Sequence, residues 1–112
     1  MSCLFCDMIA GKKPVRKVYE DDQVFVFEDI NPQAPTHVLI IPKRHIVDIK
    51  SATPEDAELI GYCHLIAARI ARDHGIEDGY RTVYNVGPKS GQSVFHLHLH
   101  LLGGRVLRWP PG

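Results

Sequence analysis

The chain has 112 residues, 45% of them apolar and 23% charged, which suits one globular core and is too little for two. Thirteen basic and thirteen acidic residues cancel, which argues against a broad nucleic-acid or membrane-surface role. Apolar runs such as Val38–Ile41 are too short to span a bilayer. The opening Met-Ser-Cys-Leu-Phe-Cys-Asp lacks the basic-then-apolar pattern of a signal peptide. The expectation is one cytoplasmic domain over residues 1–112, with its three cysteines kept reduced.

Cys3-Leu-Phe-Cys6 with Met8, Ile9 and Ala10 predicts a short helical turn, broken by Gly11-Lys-Lys-Pro14. Lys17–Glu20 and Val24–Glu28 read as two strands joined across Asp21-Asp22. Val24 and Val26 alternate with Phe25 and Phe27, so the second strand is expected to be covered on both faces. Asp29–Pro35 holds two prolines and an asparagine and reads as a loop. Thr36–Pro42 is a third strand, from which Lys43-Arg44-His45 leads outward. Thr53-Pro54-Glu55 is a helix start, with Thr as N-cap, Pro at the first helical position and acids in the first turn. Leu59, Ile60, Cys63, Ile66, Ala67, Ile70 and Ala71 then form one apolar stripe, closed by His74 and Gly75. That predicts one long helix of about 21 residues. Arg81–Val86 and Val94–Leu102 read as the fourth and fifth strands, and residues 103–112 as an irregular Pro- and Gly-rich tail. Strands joined by short turns with one inserted helix predict an antiparallel α+β fold.

The fifth strand carries the chemistry. His96, His98 and His100 alternate with Leu97, Leu99 and Leu101. On an extended strand the imidazoles share one face and the leucines the other, whereas on a helix they would share none. Neighbouring histidines then stand about 6.6 Å apart at their α-carbons, two strand rises of about 3.3 Å. Such a pair can flank a phosphate-sized group or converge on a metal. A neutral imidazole, with a pKa of about 6.5, is a nucleophile near neutral pH. Attack on phosphorus gives an N-phosphorylated histidine that water can cleave, with a flanking imidazole moving the proton.

The loop Gly87–Ser93 feeds directly into this row. Gly87 and Gly91 can turn backbone N–H groups toward an anion, with Ser90, Gln92 and Ser93 as neutral donors, or else the stretch is simply a hairpin turn. It is not a Walker loop, since no Lys follows Gly91 and a strand comes next. Asp29, at the end of an apolar strand, is either a solvated loop acid or an acceptor for the two hydroxyls of a ribose. His37 stands near the triad if strands three and five share a site. Cys3 and Cys6 form a C-x-x-C that, with His45 or a triad histidine, can complete a tetrahedral zinc site, or else are two small side chains of a short helix.

His96-Leu-His-Leu-His-Leu-Leu resembles the signature of the histidine triad (HIT) family. Asp29-Ile-Asn-Pro-Gln-Ala-Pro-Thr-His37, Ile41-Pro-Lys-Arg-His45, Gly91-Gln-Ser93 and Trp109-Pro-Pro-Gly112 resemble its Hint branch, the purine nucleoside phosphoramidases. The resemblance implies an α+β fold with a five-stranded antiparallel sheet, one long helix and a short N-terminal helix, and a homodimer whose sheets join. It implies hydrolysis of the P–N bond of purine nucleoside 5′-phosphoramidates through a nucleotidyl-histidine. Dinucleoside polyphosphate hydrolysis is the alternative chemistry, and nucleotide binding or a scaffold role with weak catalysis is the alternative class. By this likeness His98 is the nucleophile, His100 contacts the phosphate, His96 supports the orientation of His98, and His37 is a fourth active-site histidine. Ser93 would assist protonation of the leaving amine, and Asn85, Gly91 and Gln92 would hold the phosphate. Asp29 would bind the ribose, Phe5, Phe27 and Ile30 would form the base pocket, and Trp109 would approach the neighbouring subunit's site. Catalysis would need no cofactor. Some family members bind a structural zinc through a cysteine pair and two histidines, which match Cys3, Cys6, His45 and His96 here. In that case His96 is an anchor, and only His98 and His100 face substrate.

Overall fold

The computed structural model describes residues 3–112. In chain order they form α1 (Leu4–Ile9), β1 (Lys17–Glu20), β2 (Val24–Glu28), β3 (Thr36–Pro42), α2 (Ala57–Asp73), β4 (Tyr80–Val83) and β5 (Leu99–Gly103). The strands make one antiparallel sheet in the order β1-β2-β3-β5-β4. Among the described residues no helix is long and apolar enough to cross a membrane.

Side-chain alternation decides what each face of the sheet holds. Val24 and Val26 of β2, Val38 and Ile40 of β3, and Leu99 and Leu101 of β5 pack under Cys63, Ile66, Ala67, Ile70 and Ala71 of α2. Phe25, Phe27, Leu39 and Ile41 point the other way and are covered by Phe5 of α1. The expectation that β2 is buried on both faces is therefore met. Each of these large side chains contributes about 1.5–3 kcal/mol by leaving water. The Phe5 and Phe27 rings meet edge to face, with centroids 5.3 Å apart.

Three boundaries differ from the sequence reading. The long helix opens as a separate 3-10 turn, Pro54–Asp56, in which the Asp56 carboxylate accepts the Thr53 N–H at 2.9 Å. Its end is as expected, with Gly75 at a φ of 71° in the left-handed region. β4 is Tyr80–Val83 rather than Arg81–Val86, since its ladder with β5 ends where Val83 pairs with His100. β5 starts at Leu99, not Val94, because the β3–β5 ladder stops at the Ile40–Leu99 pair. Beyond that pair the incoming chain turns to other partners. Leu97 N–H donates to the Ile46 carbonyl at 2.5 Å, and the His96 ring takes the Pro42 carbonyl at 2.7 Å. Pro42 has no N–H with which to extend a ladder. Only His100 therefore sits in the strand, while His96 and His98 lie in its extended approach.

Candidate active site

The central pairing of β3 with β5 builds the site. Leu39 pairs with His100 and His37 with Leu102, on the sheet face away from α2. This brings His37 Nε2 to 2.9 Å from His100 Nδ1. Strands three and five thus bring His37 against His100. The His98 ring lies 5.1 Å from that of His100, and Phe5 sets its edge against both His96 and His98, at 5.9 and 5.1 Å.

Hydrogen-bond partners assign the tautomer of each ring. His98 Nδ1 lies 2.7 Å from the His96 carbonyl oxygen. A carbonyl only accepts, so Nδ1 carries the hydrogen and Nε2 keeps its lone pair. The same rule applied to the His96 Nε2–Pro42 carbonyl contact leaves the lone pair of His96 on Nδ1. That atom faces Cys3 Sγ at 3.4 Å and Cys6 Sγ at 3.6 Å. Gln33 N–H donates to His37 Nδ1 at 3.0 Å, so neutral His37 has its hydrogen on Nε2 and gives it to His100 Nδ1. His100 must then carry its own hydrogen on Nε2, which is buried and has no partner. A buried donor left unmatched costs about 1–3 kcal/mol, and a ligand acceptor relieves that cost.

Burial lowers the pKa of all four rings. For His37 it outweighs the pull of Asp29, and for His98 it outweighs the hydrogen bond to the His96 carbonyl. His96 is lowered too, by burial first and then by the charges of His45 and His98. His100 falls furthest, to about 4, through burial and then the neighbouring His98 and His37. At neutral pH the group is therefore uncharged. Since the folded state holds the His100 pKa below its ordinary 6.5, its neutral form stabilises the fold above that pH. Thermal stability is expected to fall as pH drops from about 6.5 toward about 4, and His100→Gln should flatten part of that slope in a series of melts.

Cys3 Sγ, Cys6 Sγ and the ring nitrogens of His45 and His96 all lie within 4.8 Å of one another. Cys6 Sγ stands 3.5 Å from His45 Nδ1. A zinc tetrahedron with Zn–S of about 2.3 Å and Zn–N of about 2.0 Å has S···N edges of about 3.5 Å. The donor atoms and their spacings therefore fit that ion. His96, fully buried, already presents the lone pair that the metal requires. Four protein ligands would fill the tetrahedron and leave no open position, as in a structural centre. Such an ion would tie α1, the segment after β3 and the approach to β5 to one point.

Of the two readings of the glycine loop, its hydrogen bonds favour the plain turn. Gly87 and Gly91 do adopt left-handed φ values of 83° and 101°. Yet the N–H groups of Ser90 and Gln92 return to the Gly87 carbonyl, and that of Gly91 goes to Pro88. The buried Gln92 amide accepts from Gly87 N–H at 2.8 Å and donates to the Val47 and Val94 carbonyls at 3.0 and 3.3 Å. As folded, the loop is a self-satisfied turn rather than an open cradle. Ser93, just after it, is exposed, and Asn85 is half-buried beyond the end of β4. Asp29 is not a solvated loop acid. One oxygen accepts Asn31 N–H at 2.8 Å, and the other lies 3.4 Å from His37 Nε2. Phe5 is buried against His96 and His98, with Phe27 buried behind it, whereas Ile30 and Trp109 (85% exposed) are open to solvent. Arg81 holds the tail by the carbonyls of Arg108 and Pro111, at 3.0 and 3.4 Å.

The sequence reading passed over the groups that fix the rings: the carbonyls of Pro42 and His96 and the N–H of Gln33. Backbone atoms leave no mark in residue identity, and only the assembled strands reveal them.

The model of the HIT domain family matches residues 10–107. The 14 kDa zinc-binding protein of Zea mays is 49% identical over 111 residues, covering 97% of this chain and 87% of that protein. The crystal structure of a HIT family hydrolase from Legionella pneumophila aligns with a TM-score of 0.97 at 48% identity, over 99% of this chain and 100% of that one. A histidine triad nucleotide-binding protein from Candida albicans aligns with a TM-score of 0.82 at 29% identity, over 97% and 83%. With nearly its full length matched and the histidine row gathered on one side of the sheet, this chain belongs to the HIT domain family.

Proposed function

We propose that the chain hydrolyses the P–N bond of purine nucleoside 5′-phosphoramidates, with His98 as the nucleophile. The observation that carries this reading is the 2.7 Å bond from His98 Nδ1 to the His96 carbonyl, which leaves Nε2 with its lone pair. Nε2 attacks phosphorus as the P–N bond to the amine breaks. The amine nitrogen takes the bonding pair and a proton, which the Ser93 hydroxyl relays from solvent. The nucleotidyl-imidazolium so formed is stabilised by the carbonyl that its Nδ1–H already faces. Water then adds its oxygen to phosphorus, the P–Nε2 bond breaks, a proton passes to solvent, and nucleoside monophosphate leaves a neutral His98. His100 donates Nε2–H to a phosphoryl oxygen, and Asn85 and the Gly91-Gln92 turn border the phosphate. Asp29 takes the ribose hydroxyls, and Phe5, Phe27 and Ile30 flank the base. His37 and His96 do not touch the reacting atoms in this reading. Zinc on Cys3, Cys6, His45 and His96 would act as a tetrahedral cross-link, and the chemistry above does not draw on it.

The deciding experiment follows release of AMP from adenosine 5′-phosphoramidate, with diadenosine tetraphosphate run in parallel. Turnover of the first and not the second supports the reading, and faster turnover of the second sinks it.

The same reading makes the protein a cytoplasmic homodimer. β4 is an edge strand with one side of its ladder open, and Val86, three residues beyond it, is an exposed apolar side chain. Pairing two β4 edges would continue the sheet and carry Trp109 toward the partner's site. Light scattering after gel filtration should give twice the 12.6 kDa of the chain, and a monomer mass at micromolar concentration would refute the pairing.

A further inference from the structure

The orphaned Nε2–H of His100 is the end of a longer series of contacts that begins in the C-terminal tail. We propose that Arg105, Gln33 and His37 form a relay that locks His100 as a neutral hydrogen-bond donor to a phosphoryl oxygen. Arg105 and His37 then act as positioning residues that never touch the substrate. The inference deepens the phosphoryl-transfer reading above and rests on it for the identity of the acceptor.

The direction of the relay is forced. A neutral imidazole has one N–H and one lone pair. The Gln33 N–H, 3.0 Å from His37 Nδ1, occupies the lone pair there, so the hydrogen sits on His37 Nε2. Its nearer acceptor is His100 Nδ1 at 2.9 Å, and Asp29 Oδ2, at 3.4 Å, adds a second pull on the same hydrogen. The reverse arrangement, with His100 Nδ1 donating, would require His37 to accept at both nitrogens and so to be an imidazolate. His100 is left one disposition, with its hydrogen on Nε2 and facing no protein acceptor. Burial and the neighbouring rings keep the group uncharged near neutral pH.

The outer end of the relay is built with equal definition. Arg105 Nε donates to the Gln33 carbonyl at 2.9 Å, and the Gln33 side-chain amide donates to the Asn31 carbonyl at 3.0 Å. Arg105 is brought there by Gly104, whose φ is 95° and whose position would set a Cβ 2.9 Å from that of Pro35. A glycine is required for the tail to pass so close to the loop. The residue that delivers the N–H to His37 is thus gripped from the tail on one side and from its own loop on the other.

Without the lock, His100 is free to move its hydrogen to Nδ1 and to turn a lone pair on the phosphoryl oxygen, exchanging attraction for repulsion. The test combines ring-nitrogen NMR of the full-length protein with AMP titration. In the wild type, His100 is expected to show a protonated Nε2 and a pyridine-type Nδ1. His37→Leu should lose that signature and weaken AMP binding about tenfold or more, the scale of a hydrogen bond to a charged group. His37→Gln, whose amide can both accept from Gln33 and donate toward His100, should restore most of the affinity. Arg105→Ala, remote from the phosphate, should weaken AMP binding about threefold with an unchanged melting temperature, and Arg105→Lys should recover part of it. A wild-type His100 with its hydrogen on Nδ1 overturns the relay. So does unchanged AMP affinity in both His37→Leu and Arg105→Ala, and so does a wild type that binds no AMP. Failure of the phosphoramidase reading looks different: AMP still binds and His100 keeps its tautomer, but no amine is released, an outcome that supports the relay.

Discussion

His98→Ala is expected to lower turnover of adenosine 5′-phosphoramidate by a factor on the order of 10⁴ or more, because no other group can take over covalent attack. His100, whose ring lies 5.1 Å from that of His98, accepts at Nδ1 from His37 and carries its hydrogen on Nε2, so it has no free lone pair to offer. His96 gives one nitrogen to Pro42 and turns the other toward the thiols. In the proposed reading AMP affinity should change far less than turnover, since His100 and the Phe5–Phe27 pair remain. The measurement is a pre-steady-state assay with AMP titration beside it. Acid-free quenching of the wild type should give a mass increase of one nucleotidyl group on the peptide carrying His98. Turnover within tenfold of wild type would sink the nucleophile assignment.

Cys6→Ser is expected to abolish stoichiometric zinc and lower the thermal midpoint by on the order of 10 °C. Structural zinc contributes apparent free energies of about 10–16 kcal/mol in small finger peptides. Here the sheet folds around its own core, so only part of that figure is at stake. A loss of about 2–3 kcal/mol corresponds to a shift of roughly 10 °C in a domain near this size. The effect should concentrate on α1, since six residues cannot hold a helix alone and the helix is tied down by Phe5 and the two thiols. Elemental analysis of protein purified without chelator, and melts with and without EDTA, provide the check. If the purified protein holds no zinc and Cys6→Ser melts like the wild type, the thiols are only small side chains, and the Cys6 N–H bond to Cys3 Sγ is merely a cap.

Much of this site was legible in the chain, and what was missed has a common cause. β1, β2 and β3 were placed to the residue because Pro42 and the Asp21 turn punctuate the sequence where the ladder ends. The alternation of His96, His98 and His100 fixed which side chains gather on one face. It could not show that the ladder ends at Leu99, because that depends on Pro42 and Ile46 capturing the incoming chain. Gly87 and Gly91 correctly marked a left-handed turn, but residue types do not reveal whether its N–H groups face a ligand or one another. Gln33 carried no signal at all. Its role lies in a main-chain N–H whose aim depends on Arg105, 72 residues further along the chain.

His96 does two things with two different parts of itself. Its ring reaches the cysteines and Pro42, while its carbonyl oxygen accepts from His98 Nδ1 and so fixes that ring's tautomer. Any amino acid can supply a carbonyl. The first letter of the signature is therefore free, as far as the reaction is concerned, to change its side chain. A lineage that gave up Cys3, Cys6 and the ring of His96 together would keep the tautomer of His98, provided another interaction held the main chain at residue 96 in place. The motif reads as three equal letters, but its first ring lies against Cys3 and Cys6 while the ring of the third lies against His37.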